Sequence, residues 1–173
     1  MNDFPHAMLR EIYEQPDAIR RTLALYLSGS LLRAEAFAPI ARWLNPRGEV
    51  LIAASGSSRH AGLAAEILFE DVCGLAVDVE YASEYACRGA ANPRHPSLLV
   101  ISQSGETSDT LAALRCAYGS GQQTLAIANV SGSSMLREAS AAMPLAEASP
   151  ARPPSSAATR SSSAATVGLD SLE

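Results

Sequence analysis

Lysine is missing from this sequence: all 13 basic residues are arginines. A Schiff base between a lysine of this chain and a carbonyl substrate is therefore excluded. Also missing is any apolar run near the roughly 20 residues that a membrane-spanning helix needs, so no membrane association is expected. The first residues, "MNDFPHAMLREIYEQ", are charged and helical in pattern, without a basic start followed by an apolar block. They read as no secretory signal, and a cytoplasmic protein is expected. Cys73, Cys87 and Cys116 show no metal-ligand spacing, which suits reduced, structural thiols. His6, His60 and His95 are too scattered for a metal site. A net charge of −5 argues against a nucleic-acid partner, because such binding depends on neutralising many phosphates. Neither G-x-G-x-x-G nor a lysine-bearing phosphate loop occurs, and no nucleotide cofactor is expected.

What is present is enough for one domain with a sizeable core, since 173 residues are too few for two large ones. Met8, Ile12, Ile19, Leu23 and Leu27 recur near helical spacing and predict an amphipathic helix over 5–27, with a turn or kink at Pro16. A second helix is expected over 30–44, where Phe37, Ile40 and Trp43 read as core. "NPRG" at 45–48 is a turn. From Glu49 the texture alternates between short apolar runs and helical patterns. "VLIAA" (50–54), "LAVDVEY" (75–81), "SLLVIS" (97–102), "QTLAIAN" (123–129) and "AAMPL" (141–145) read as strands. Helices are expected over 58–73, 107–119 and 133–139. Apolar strands with intervening helices indicate a parallel sheet buried on both faces. The expected fold class is α/β, a small doubly wound five-stranded parallel sheet preceded by N-terminal helices. Right-handed crossovers place every strand-to-helix turn along one sheet edge. The organisation is a lead-in over 1–45, the α/β domain over 46–145, and an Ala/Ser/Pro-rich tail over 146–173 that is expected to be disordered.

Two of those turns are unusually rich in hydroxyls. In "AASGSSRHAG", Gly56 permits a tight bend and Ser57 or Ser58 can cap the following helix. In "SQSGETSDT", Ser102, Ser104, Thr107 and Ser108 accompany the amide of Gln103, where one cap would need one hydroxyl. Unpaired N–H groups at a helix start, the positive end of its dipole and short hydroxyl donors together suit a phosphate. Glu106, awkward beside an anion, is expected to point outward or to cap the helix that starts at Thr107.

At these residues the chain resembles the SIS (sugar isomerase) domain family. "SQSGETSDTLAAL" is very similar to that family's phosphosugar loop, and "SGSSRHAG" to the loop before its first helix. Within the family, the chain resembles the isomerase half of the glutamine–fructose-6-phosphate aminotransferases. "MLREIYEQPDAI", "DVEYASEY" and "NVSGSSMLREA" carry that likeness further, in order, over about residues 5–145. The resemblance implies a flavodoxin-like sheet and a homodimer with sites near the subunit interface. It also implies a hexose 6-phosphate ligand, either fructose 6-phosphate or glucosamine 6-phosphate. By position it puts Ser55, Gly56, Ser57 and Ser58 along the sugar, and Ser102, Gln103, Ser104 and Thr107 at the phosphate and sugar contacts. Ser55 stands where the aminotransferases commonly carry a cysteine.

The departures shape the functional expectation. The family's glutaminase domain, its second SIS domain with the acid–base glutamate and histidine, and its C-terminal lysine have no counterpart in this sequence. After Ala142 the family pattern gives way abruptly to "AEASPARPPSSAATRSS", as a frameshift or a truncated gene would produce. Aldose–ketose interconversion needs a positioned general base, so phosphosugar binding without independent catalysis is expected, and the catalytic residues are unknown. One alternative is a working isomerase, as a dimer or with a partner supplying the second SIS half, with Glu84 or His60 as base. Another is a non-enzymatic regulatory module or gene remnant. Arg59 reads either as a screen for the phosphate or as a solvated surface residue. Glu84 and Arg88 face the same crevice or serve at a helix end.

Overall fold

A computed structural model describes residues 4–43, 49–89 and 97–146. The "NPRG" turn, the loop holding His95, and the tail from 147 onward lie outside the described residues. The lead-in consists of α1 (Ala7–Tyr26), a short antiparallel pair β1 (Leu27–Ser28) and β2 (Leu31–Leu32), and α2 (Ala34–Trp43). The helix α1 runs through Pro16, although the proline removes one ladder hydrogen bond. The hairpin corrects the expected helix start at 30. Leu27 is already extended, and the Arg33 N–H donates back to the Tyr26 carbonyl at 2.9 Å, so helix resumes only at Ala34.

The rest alternates strand and helix: β3 (Glu49–Ala54), α3 (Gly56–Cys73), β4 (Ala76–Tyr81), α4 (Ala82–Arg88), β5 (Ser97–Ser102), α5 (Ser108–Gly119), β6 (Gln123–Ala128), α6 (Ser134–Glu138) and β7 (Ala141–Pro144). All five strands pair in parallel, in the order β4-β3-β5-β6-β7. The chain winds outward from β3 to β4, returns past β3 to β5, and continues to the far edge. The winding direction therefore reverses between β3 and β5, which is where doubly wound sheets bind ligands.

Alternation along the strands divides the core. Leu51, Ala53, Leu98, Val100 and Ala126 face one side, where Tyr85, Leu111, Leu114 and Met135 of α4, α5 and α6 cover them. Val50, Ile52, Leu99 and Leu125 face the other, covered by Trp43 and Ile40 of α2 and by Ala65 and Phe69 of α3. Each large side chain buried this way contributes about 1.5–3 kcal/mol. The helices α3 and α5 thus lie on opposite faces, and their N-termini flank the β3/β5 junction.

The lead-in is tied to both ends of this sheet. Trp43 is buried, and its indole N–H lies 3.2 Å from the carbonyls of both Leu98 and Gln123, while the Ser97 hydroxyl donates to the Trp43 carbonyl. At the other end the Tyr26 hydroxyl donates to the Pro144 carbonyl, and the Ala146 N–H donates to the Thr22 hydroxyl. The apolar stripe expected on α1 does not join the core. Met8 and Ile19 remain 72% and 59% exposed, because the helix enters the core only through Tyr26.

Candidate functional site

The register sets Ala54 of β3 beside Ile101 of β5, so the two hydroxyl-rich bends leave neighbouring strands at the same sheet edge. The first bend begins at Ser55, whose extended backbone (φ −125°, ψ 152°) caps α3 without a side-chain hydrogen bond to it. Gly56 follows at φ +57°, a left-handed conformation that costs a glycine little. A Cβ there would meet nothing within 4 Å, so this backbone borders open space. Helix therefore starts earlier than 58, and Ser57 and Ser58 stand in its first turn rather than at the cap. There the N–H groups have no intrahelical partners. Ser55 and Ser58 are half-buried and Ser57 is exposed.

The second bend is a self-bonded loop. The buried Ser102 hydroxyl lies 2.9 Å from the Thr107 hydroxyl and accepts the Gly105 N–H at 3.1 Å. The Ser104 hydroxyl accepts the Glu106 N–H at 3.2 Å, a tight local turn. Thr107 occupies the cap position of α5 without a side-chain hydrogen bond to the helix. Ser104 and Thr107 are half-buried, and Gln103 is exposed. The hydroxyls serve different ends: Ser102 folds the loop from inside, whereas Ser104, Thr107 and Gln103 retain accessible surface.

A third turn, 129–135, supports this loop from the side. The Asn129 N–H donates to the Gln103 carbonyl at 3.1 Å, and the Met135 N–H to the Gly105 carbonyl at 3.2 Å. Gly105 itself is left-handed at φ +67°, and a Cβ on it would sit 2.5 Å from the Ser133 Cβ. Glu106 is exposed, as expected of a side chain pointing outward, and does not cap α5. Its carboxylate reaches across and accepts the Ser134 N–H at 2.7 Å. The backbone hydrogen bond from Ser134, then one from its side chain, then the Arg137 charge hold this carboxyl below its ordinary range. Sequence reasoning left Ser133 and Ser134 out of the site. The signal was present, because "SGSS" at 131–134 repeats the "SGSS" at 55–58.

The remaining candidates are placed less centrally. The Arg59 guanidinium stacks on Tyr81 at the end of β4, 4.2 Å from the ring centroid, with its Nε buried and unpartnered. His60 is exposed on α3, and Glu84 is exposed in the first turn of α4. Arg88 pairs with Glu80, which occupies its guanidinium. Cys73, Cys87 and Cys116 are free thiols, and no cluster suited to a metal ion occurs among the described residues. Among those residues no helix is long and apolar enough to cross a membrane. A hollow of about 390 Å³ lies elsewhere, between α5 and α6, and Arg115 and Glu138 in its lining form a bidentate ion pair.

Comparison with known proteins bears on this geometry. The glutamine–fructose-6-phosphate aminotransferase of Acinetobacter baylyi is 42% identical over 142 residues, 79% of this chain but only 23% of that enzyme. The C-terminal domain of the Francisella tularensis glucosamine-fructose-6-phosphate aminotransferase superimposes with a TM-score of 0.73 at 34% identity, covering 83% of this chain and 40% of that one. Tagatose-6-phosphate ketose/aldose isomerase from Escherichia coli shares the fold, with a TM-score of 0.65 at 21% identity over 84% of this chain and 43% of that one. This chain therefore spans about a quarter of the curated aminotransferases it matches. The SIS domain family model matches residues 44–172, most of the sequence. On that match, and on the parallel sheet whose winding reverses between the two serine bends, the chain belongs to the SIS domain family.

Proposed function

We propose that this chain binds a hexose 6-phosphate, fructose 6-phosphate or glucosamine 6-phosphate, at the β3/β5 edge. One observation carries the reading: two hydroxyl-bearing bends leave adjacent strands side by side at the point where the sheet's winding reverses. The proposed contact set is Ser55, Gly56, Ser57 and Ser58 from the first bend, with Ser102, Gln103, Ser104 and Thr107 from the second. The phosphoryl group takes the free N–H groups and dipoles at the starts of α3 and α5. Ser104, Thr107 and Gln103 add short donors, and Ser102 keeps the loop in shape from within. The named activity of the matched aminotransferases supports fructose 6-phosphate as the first ligand to test.

Binding in this chain stands without turnover. Moving a proton between neighbouring carbons needs a base placed against the sugar, and the described candidates, His60 and Glu84, are exposed. The uncovered apolar stripe of α1 supports a homodimer.

Titration calorimetry with fructose 6-phosphate and glucosamine 6-phosphate tests the reading. Loss of one hydroxyl donor to a charged phosphate costs about 1.5–3 kcal/mol, roughly 10- to 150-fold in Kd. Ser104→Ala and Thr107→Val are each expected to weaken binding by that order. Absence of heat and of any thermal shift with both sugars would refute it.

A further inference from the structure

The serine loop is held by more than its own hydrogen bonds. Its second anchor crosses 28 residues of sequence, from the Glu106 carboxylate to the Ser134 N–H. The Gln103 and Gly105 carbonyls accept from Asn129 and Met135 on the same neighbouring turn. Ser133 packs so tightly on Gly105 that its hydroxyl is buried and unpartnered. Glu106 is the negatively charged member of this junction, and its carboxylate reaches across to the neighbouring turn, where Arg137 also bonds Ser134.

We infer that Glu106 is a positioning residue: its carboxylate clasps the Ser134 N–H and so holds the 102–107 loop in the shape that receives a phosphoryl group. The inference rests on the phosphosugar reading of that loop. The clasp does two things at once. It ties the loop to a turn that is itself fixed to β6 and α6. It also draws the one negative side chain of the bend toward a backbone donor and Arg137, leaving the accessible surface of Ser104, Thr107 and Gln103 to a dianion. Without the clasp the loop visits other conformations, and the apparent Kd rises in inverse proportion to the fraction of time the competent shape survives. A loop competent about a tenth of the time binds about tenfold more weakly.

The test compares the full chain with Glu106→Ala, Glu106→Gln and Ser134→Pro. The glutamine keeps an oxygen that accepts from Ser134. The proline removes the donor at the first position of α6, where proline is tolerated, and the preceding Ser133 already has the extended backbone that a following proline needs (φ −65°, ψ 155°). Amide hydrogen exchange over 102–107 in the free protein reports the clasp without any ligand, and calorimetry with fructose 6-phosphate reports its effect on binding. Glu106→Ala and Ser134→Pro are expected to speed exchange in 102–107 and weaken binding about tenfold, with the melting temperature nearly unchanged. Glu106→Gln is expected to recover most of both, and the alanine–proline double variant should be no worse than either single. Unchanged loop exchange in both single variants overturns the inference, as does a glutamine variant as impaired as the alanine one. Affinity that falls only in step with melting temperature overturns it too. If the unsubstituted chain binds neither sugar phosphate, the phosphosugar reading fails, while the exchange measurement still decides whether the clasp exists.

Discussion

Gly105→Ala is expected to damage this protein far more than Gly56→Ala, although both glycines are left-handed, at φ +67° and +57°. The backbone penalty is shared: a non-glycine residue in that conformation costs about 1–2 kcal/mol. The surroundings are not. At Gly56 an added Cβ meets nothing within 4 Å, so only the backbone cost applies. At Gly105 it would sit 2.2 Å from the Ser133 Oγ, 2.5 Å from the Ser133 Cβ and 3.2 Å from the Ala128 Cβ. The hydroxyl could rotate away, but a Cβ moves only with its backbone. Ser133 is 2% exposed, so little room exists for that shift. Overpacking of this kind typically costs a further 1–3 kcal/mol, bringing Gly105→Ala to about 2–5 kcal/mol. For a domain of this size each kcal/mol moves the melting temperature by about 2–4 °C. Thermal unfolding followed by circular dichroism should thus show a fall of roughly 4–20 °C for Gly105→Ala and roughly 2–8 °C for Gly56→Ala. Adding Ser133→Gly to Gly105→Ala relieves the overlap and should restore part of the loss. Equal losses at the two glycines, or no recovery in the double variant, would refute the argument that close contact between the 102–107 loop and the 129–135 turn fixes the loop.

Trp43→Phe removes the indole donor that faces the Leu98 and Gln123 carbonyls; a loss of about 1–3 kcal/mol is expected in chemical denaturation followed by circular dichroism, and an unchanged midpoint would show that the ring's bulk alone matters. Burial pushes the Tyr85 hydroxyl up to about 12, with the Cys116 charge a lesser cause and the Gln122 hydrogen bond opposing it. The neutral phenol is the form the fold prefers, so its contribution is intact below the unfolded value near 10 and is lost as pH rises from there through about 12. Alkaline unfolding should therefore be shallower in Tyr85→Phe than in the unsubstituted chain, and tyrosinate absorbance should rise late; identical alkaline limbs would contradict the burial argument.

The α/β pattern was legible because local chemistry decides it. Continuous apolar runs such as "VLIAA" and "SLLVIS" are too uniformly hydrophobic to face water on either side, and helical periods between them force parallel pairing. Within the described residues, strand limits match to within a residue or two. The misses share one cause. A helix start at Gly56 rather than 58, and a hairpin in place of helix at 30–33, each depend on which backbone group finds a partner. Composition carries no record of that choice.

The sequence by itself determined that two hydroxyl clusters follow two buried strands, and that hydroxyls with backbone N–H groups, rather than lysine, would meet any anion. Only the tertiary structure decided that Ser102 turns its hydroxyl inward, that Arg88 is spent on Glu80, and that Glu106 reaches across to Ser134. Periodicity reports neighbours a few residues apart. Which hydrogen-bond partner each side chain takes is not periodic. The Glu106–Ser134 contact also needs strand order, which sets β5 beside β6 and so joins groups a whole βα unit apart.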